Sequence, residues 1–371
     1  MLKSLSIDNF RGIKHLKIGN FSRVNIFVGG NGSGKTSVLE ALAVLASPGD
    51  PHMLSKLAMW RDMGPMNSQI DYPLRSFFFE LNAGREITLS AVTDAGTQRL
   101  AITGLQVNIS QPNGAESSLA MSGVISQGVN GPVSSSGRIE ESSGADVSNL
   151  AGVSYQFVDE IGETATATAS LIPMGLQGMV RTVRRGLGVF YIQGRRANSI
   201  AETAEAITRI TESGDEEEFL RIIRAIEPRC RSVQVGLLGG QPILFADVGK
   251  MKRLSISLLG DGFCRACLIA TGLVAAAPKI TIVDDIDAGL HHTVMENFWR
   301  AILRICHRRD MQLFCSSHSD EMLRAAVTAL TESPDDLKLF RIDKSQDGHV
   351  SAENYDFIHA QTASNNGIEV R

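Results

Sequence analysis

The chain has 371 residues, 43% hydrophobic and 20% charged, enough to bury a large core in one big or two modest domains. Its formal net charge of −4 excludes a globally basic nucleic-acid binder, while a local basic groove stays open. No long apolar run follows Met1, and the longest one, around residues 268–277, is too short and interrupted to span a bilayer, so neither a secretory signal nor a membrane contact is expected and the setting is read as cytoplasmic.

In chain order, residues 1–28 read as a compact β unit. Leu2, Leu5 and Ile7 lead into Phe10-Arg11-Gly12, Leu16 and Ile18 suggest a second strand, and residues 24–28 are a short apolar run of the buried-strand kind. Residues 29–34 break that pattern, and residues 36–45 resume it as a helix with Val38, Leu39, Leu42 and Leu45 apolar. From Phe77 to about Thr103 the alternation, beginning with Phe77, Phe79 and Leu81, predicts antiparallel strands. Residues 105–150, rich in Ser, Gly and Asn, read as a β-hairpin insertion or a poorly ordered segment.

Residues 198–227 look helical and charged, with Asp215-Glu216-Glu217-Glu218 near a helix start as a solvated acidic face. Residues 233–245 carry two strands turned by Gly239-Gly240. An apolar helix over 263–277, a strand over 279–283, a helix over 292–307 and a strand over 311–316 then point to a parallel sheet. Cys230, Cys264, Cys267, Cys306 and Cys315 sit in or beside apolar runs and read as reduced core thiols; the CxxC of Cys264 and Cys267 has no second pair at zinc spacing.

Gly29-Gly30-Asn31-Gly32-Ser33-Gly34-Lys35-Thr36 matches the GxxxxGK[ST] pattern in full and lies between a predicted strand and helix. Its glycines let backbone N–H groups converge on phosphates without interference from Cβ atoms, and Ser37 follows at the helix start. Lys35 is placed to neutralise β/γ-phosphate charge and the Thr36 hydroxyl to ligate Mg2+, so Mg2+ with ATP is the expected nucleotide. In the second half, Gly260-Asp261-Gly262 opens an apolar helix whose free N–H groups can face a γ-phosphate. The apolar strand before Asp284-Asp285 ends in two acids: Asp284 is placed to hold the Mg2+ water shell and Asp285 to orient or deprotonate the attacking water. The next strand ends at Ser316-Ser317-His318, where an imidazole can sense the γ-phosphate, whereas His291-His292 lacks a third ligand.

In this order the segments resemble the RecF/SMC-like branch of ABC ATPases, and within it the ATPase part of the OLD (overcoming lysogenization defect) family. The resemblance is carried by Asn9-Phe10-Arg11-Gly12, the Walker A loop, Ser257-Leu258-Leu259-Gly260-Asp261-Gly262, Asp284-Asp285-Ile286-Asp287-Ala288-Gly289-Leu290-His291-His292 and Ser316-Ser317-His318-Ser319. It implies an α/β fold, an ABC-ATPase-type P-loop NTPase with a mixed sheet flanked by helices and a β-rich insertion. The implied division is an N-terminal ATPase lobe over 1–104, a β-rich or partly disordered insertion over 105–180, and a C-terminal ATPase lobe over 181–371. It also implies an ATP-sandwich homodimer or higher homo-oligomer, with the phosphate loop of one copy facing Gly260–Gly262 of the other. Arg11 becomes a base or phosphate contact, with a structural arginine equally open.

Three departures matter. Gly260 stands where the signature serine is usual. Asp285 stands where the catalytic glutamate is usual, which withdraws the carboxylate by ~1.5 Å, and a displacement of that scale can lower a rate by ~100-fold. Slow hydrolysis is therefore expected unless the backbone has shifted or Asp287 shares the role. With 371 − 318 = 53 residues after His318, the Toprim nuclease domain of the OLD nucleases is not expected. The leading expectation is a slow nucleotide switch for a separate effector protein, a nuclease being one candidate, as in bacterial anti-phage systems. The alternative is a RecF-like ATPase acting directly on DNA, for which Arg181, Arg184, Arg185, Arg195 and Arg196 offer a surface for DNA or RNA, set against a solvated edge or a lid.

Overall fold

The N-terminal β unit pairs as an antiparallel hairpin of β1 (Leu2–Phe10) and β2 (Ile13–Gly19). The computed structural model describes residues 1–48, 50–64, 66–67, 69–107, 149–173, 175–180, 188–194, 200–249, 252–275 and 279–355. β3 (Val24–Val28) leads through the glycine loop into α1 (Lys35–Ala46), followed by α2 (Pro51–Trp60) and α3 (Tyr72–Arg75). The strand expected from Phe77 does not form there. Phe79–Leu81 is a single 3-10 turn with Glu80 and Leu81 at positive φ, and Phe77 and Phe78 are buried anchors, so the apolar alternation marks a packed turn and not a pleat.

Strand structure resumes at β4 (Ile87–Thr93) and β5 (Gly96–Val107), then β6 (Asn149–Val158), β7 (Thr164–Ile172) and β8 (Gly175–Val180). With the first hairpin they form one antiparallel sheet of seven strands, in the order β2-β1-β4-β5-β6-β7-β8. Residues 149–180 thus continue the sheet that begins at the N-terminus, while 108–148 lie outside the described residues.

The second half runs β9 (Val189–Ile192), α4 (Ile200–Ser213), α5 (Glu216–Arg224), then a small sheet of β10 (Ser232–Leu238), β11 (Gln241–Asp247) and β12 (Leu254–Ser255). It continues with α6 (Asp261–Val274), β13 (Ile280–Val283), α7 (His292–Arg308), β14 (Gln312–Ser316), α8 (Asp320–Ala329), β15 (Leu337–Lys344) and β16 (Val350–Tyr355). A six-stranded sheet in the order β16-β15-β3-β14-β13-β9 joins the two ends of the chain. Five strands are parallel and the edge strand β16 is antiparallel, which is the mixed sheet expected.

Both faces of this sheet are covered, so its central strands are buried at every position, as continuous apolar runs require. On β3, Val24, Ile26 and Val28 enter a core shared with α4 to α8, and Phe27 enters a second core shared with α1 and the seven-stranded sheet. Lodged between the two sheets, α1 is buried continuously from Val38 to Ala46. Such a helix must be apolar all round, and Glu40 is the acid that breaks the pattern.

Two smaller readings change or stand. Glu218 is not a solvated acid: it is 4% exposed and meets Arg308 at 3.2 Å and Arg309 at 2.6 Å, tying α5 to the end of α7. The cysteines are unpaired and all but Cys264 buried; burial pushes the Cys306 thiol up to about 12. Among the described residues no cluster of three or more His, Cys, Asp or Glu could hold a metal, and no helix is long and apolar enough to cross a membrane.

Candidate nucleotide site

The loop after β3 turns left-handed at Gly29, Gly32 and Gly34, with φ of 137°, 76° and 116°. A Cβ on Gly29 would stand 2.1 Å from the Ile342 carbonyl oxygen of β15, so only glycine lets the loop pass there. Gly34 caps α1 without a side-chain bond, and no acid occupies the first turn. The unpaired N–H groups and positive dipole end of α1 are thus available to an anion. Lys35 is 5% exposed and donates to the carbonyls of Gly29 at 2.8 Å and Gly30 at 2.9 Å. Burial lowers its pKa, opposed by Asp285 and Asp284.

Register brings the remaining groups to the loop. Val283 pairs with both Cys315 and Ile192, and Ser316 pairs with Phe27, so β9, β13, β14 and β3 all end side by side. The carboxyl ends of parallel strands are where α/β sheets bind ligands. Thr36 Oγ1 donates to Asp284 Oδ2 at 2.9 Å and Ser316 Oγ donates to Oδ1 at 2.5 Å. The Asp285 N–H in turn donates to Ser316 Oγ at 2.8 Å. Burial raises the Asp284 pKa, with Asp285 adding to the rise and the Ser316 and Thr36 hydroxyls opposing it. Asp285 is left-handed, φ 50°, and its Oδ1 lies 3.7 Å from His318 Nε2.

These groups face one cavity of about 630 Å3. Asn31, Gly32, Gly34, Lys35, Thr36 and Ser37 line one side; Asp284, Asp285 and His318 line the other. Gly29 and Ser33 shape the loop from behind, Ser33 with its hydroxyl buried and unpartnered. Asp287 does not line the cavity; its Oδ1 accepts the His318 backbone N–H at 3.4 Å, which orders the switch loop and leaves Asp285 as the carboxylate facing the cavity beside His318.

Gly260, Asp261 and Gly262 also lie outside this cavity. Gly260 and Asp261 are exposed at the head of α6, and a Cβ on Gly262 would meet the Gly289 carbonyl at 2.3 Å. Arg11 takes the structural alternative. Its Nε donates to Glu40 at 2.9 Å, its Nη1 donates to Ser76 Oγ at 2.6 Å, and the guanidinium lies 3.7 Å over the Phe77 ring. Arg181, Arg184, Arg185, Arg195 and Arg196 lie outside the described residues.

Several lining residues were not singled out from the sequence: Gln193 and Gly194 after β9, Trp60 at the end of α2, and Arg61, Asp62 and Met63 after it. Gln193 Nε2 donates to the Trp60 carbonyl, and its Oε1 is buried with no partner. A signal did exist, since Gln-Gly directly follows a short apolar run, the same strand-then-polar order as Val283-Asp284. Arg265 of α6 was also missed. Its Nη2 donates to the carbonyls of Asp284 at 2.5 Å and Asp285 at 3.2 Å, and its Nη1 to that of Gln193. Thr36 and Asp284 are oxygen donors in contact at 2.9 Å, and Gln193, lining the same cavity, carries an orphaned amide oxygen; oxygens of this kind suit a hard divalent cation.

The family described as "AAA ATPase domain" matches residues 1–88, and that described as "AAA domain, putative AbiEii toxin, Type IV TA system" matches residues 199–324. The head of Smc bound to the C-winged helix domain of ScpA superimposes with a TM-score of 0.51 at 13% identity, over 96% of this chain and 98% of that one. The Smc head with an extended coiled coil derived from Pyrococcus furiosus gives 0.50 at 11% identity, over 99% of both. The chain has the fold of an SMC head, and two of its segments are similar to AAA-type ATPase domains. In sequence, an ATP/GTP phosphatase of Helicobacter pylori is 20% identical over 96% of this chain and 95% of that protein. An uncharacterised protein of Methanocaldococcus jannaschii is 38% identical over 66 residues, which span 30% of its own length.

Proposed function

We propose that the chain is an OLD-like ATP-dependent switch: two or more copies close over Mg-ATP, slow hydrolysis resets them, and the nucleotide state governs a separate effector in the cytoplasm. The observation that carries this reading is how the site is divided. One chain supplies the loop, the cation ligands, the carboxylate and the histidine around one cavity, while the head of α6 is exposed elsewhere, beside Leu258 at 73% exposure. A second copy would present that helix N-terminus, with its free N–H groups, to the outer face of the γ-phosphate.

Within the cavity, Lys35 and the first turn of α1 hold the phosphates. Thr36, Asp284 and Gln193 would hold Mg2+, which would supply neutralisation of phosphate charge. Asp285 takes a proton from the attacking water as its oxygen bonds to the γ-phosphorus and the bond to the β-phosphate oxygen breaks, releasing ADP and phosphate. His318 stands beside Asp285 to hold it and contact the γ-phosphate. The short Asp285 side chain keeps the step slow.

The OLD resemblance and the description of one matching family as a putative toxin support an anti-phage setting in which the effector, for example a nuclease, is a separate protein. Direct action on DNA rests on the arginines outside the described residues and gains no support from the rest. The test is the steady-state ATP hydrolysis rate against protein concentration, with Lys35→Ala as the blank. A rate that rises faster than linearly and vanishes in the variant is expected. A strictly linear rate would sink the shared site.

A further inference from the structure

We propose that Gly194 is a positioning residue for Asp285, setting where its carboxylate stands by the absence of a side chain; this rests on reading the cavity as the hydrolysis site. The two residues belong to neighbouring parallel strand ends, β9 and β13, brought level by the Ile192–Val283 pairing. A Cβ built on Gly194 would lie 2.5 Å from Asp285 Oδ2, 2.8 Å from its Cβ and 2.9 Å from its Cγ. All three distances are well inside contact, so the Asp285 side chain passes directly across the bare Cα of Gly194.

Three further features fix the fit. Asp285 is held left-handed, a conformation that Asp tolerates better than most residues. Its N–H is anchored on Ser316. Arg265 clasps the carbonyls of Gln193, Asp284 and Asp285 in one guanidinium, which fixes the gap between the two strand ends. The carboxylate therefore has a wall on one side and His318 on the other, 3.7 Å away. A methyl group in that wall must displace it, and a shift of about 1 Å from a productive geometry costs on the order of 100-fold in rate.

The experiment is a double-mutant cycle on the full chain: wild type, Gly194→Ala, Asp285→Ala and the pair. Single-turnover Mg-ATP hydrolysis and the affinity for a fluorescent ATP analogue are measured for each. Gly194→Ala is expected to lower the rate ~100-fold with affinity unchanged, and to do nothing further once Asp285 is already Ala. A wild-type rate in Gly194→Ala overturns the proposal, as does an equal loss in both backgrounds or a fall in affinity that matches the fall in rate. Should Gly194→Ala fail to fold by circular dichroism, Arg265→Lys reads the same gap from the other side: a loss present only when Asp285 is intact supports it, and a loss independent of Asp285 overturns it. A wild-type rate in Asp285→Ala would instead remove the base from the proposed mechanism, an outcome distinct from all of these.

Discussion

Two charge clusters sit one helical turn apart on α1, and they are built differently. At Glu40 the anion is 2% exposed and holds two cations, Arg11 at 2.9 Å and Arg61 at 2.6 Å. Burial lowers the Arg11 pKa despite Glu40, whereas at Arg61, nearer solvent, burial is outweighed by Glu40 and the pKa is raised; both arginines stay charged. At Lys35 and Thr36 the arrangement differs: Lys35 and Arg265 both act on the carboxylates Asp284 and Asp285, burial raises the Asp284 pKa, and Gln193 on the neighbouring strand end carries an orphaned Oε1. The first cluster joins the β1–β2 turn, α1 and the end of α2, with Arg61 at its edge also reaching the cavity. The second lines the cavity, with Lys35, Thr36, Asp284 and Asp285 all turned to it.

The comparison breaks most readily at Glu40. Glu40→Ala leaves Arg11 buried without its counter-ion, and the expected loss is about 3–5 kcal/mol of unfolding free energy, read by chemical denaturation. A loss under ~1 kcal/mol would mean that this cluster is no more than a surface pair. Lys35→Ala should do the reverse, abolishing hydrolysis by at least ~100-fold while changing stability by less than ~1 kcal/mol, since burial already opposes the charge that is removed.

The subtlest test is Asp284→Asn, which should stop hydrolysis yet raise the melting temperature at neutral pH. The folded pKa of Asp284 is raised from 3.8, so its ionisation costs stability as pH climbs through that raised value. The gain from Asn should be absent below the ordinary carboxylate pKa and grow as pH rises above it. A pH-independent gain would show that the effect is not electrostatic.

How much of this was legible in the sequence depended on distance along the chain. The phosphate loop was fully readable, because strand, glycines, Lys35 and Thr36 are contiguous and the φ angles that demand glycine are local. Asp284, Asp285 and His318 were readable from their places at the ends of short apolar runs. The direction of Asp287 was not legible, because sequence proximity to Asp285 says nothing about direction; its carboxylate accepts the His318 backbone N–H. Phe77, Phe79 and Leu81 were misjudged because period-two spacing cannot separate a strand from a packed turn.

The sequence by itself determined that an α/β sheet carries a phosphate loop and an acidic strand end, since these follow from local periodicity and backbone sterics. Only the tertiary structure decided which strands are neighbours. The β9–β13–β14–β3 register turns Gln193, Gly194 and Ser316 into parts of the site, and the burial of α1 between two sheets makes Arg11 and Arg61 partners of Glu40. Pairing between segments far apart in the chain leaves no periodic trace in it, because it depends on which surfaces meet when both faces of the sheet are covered.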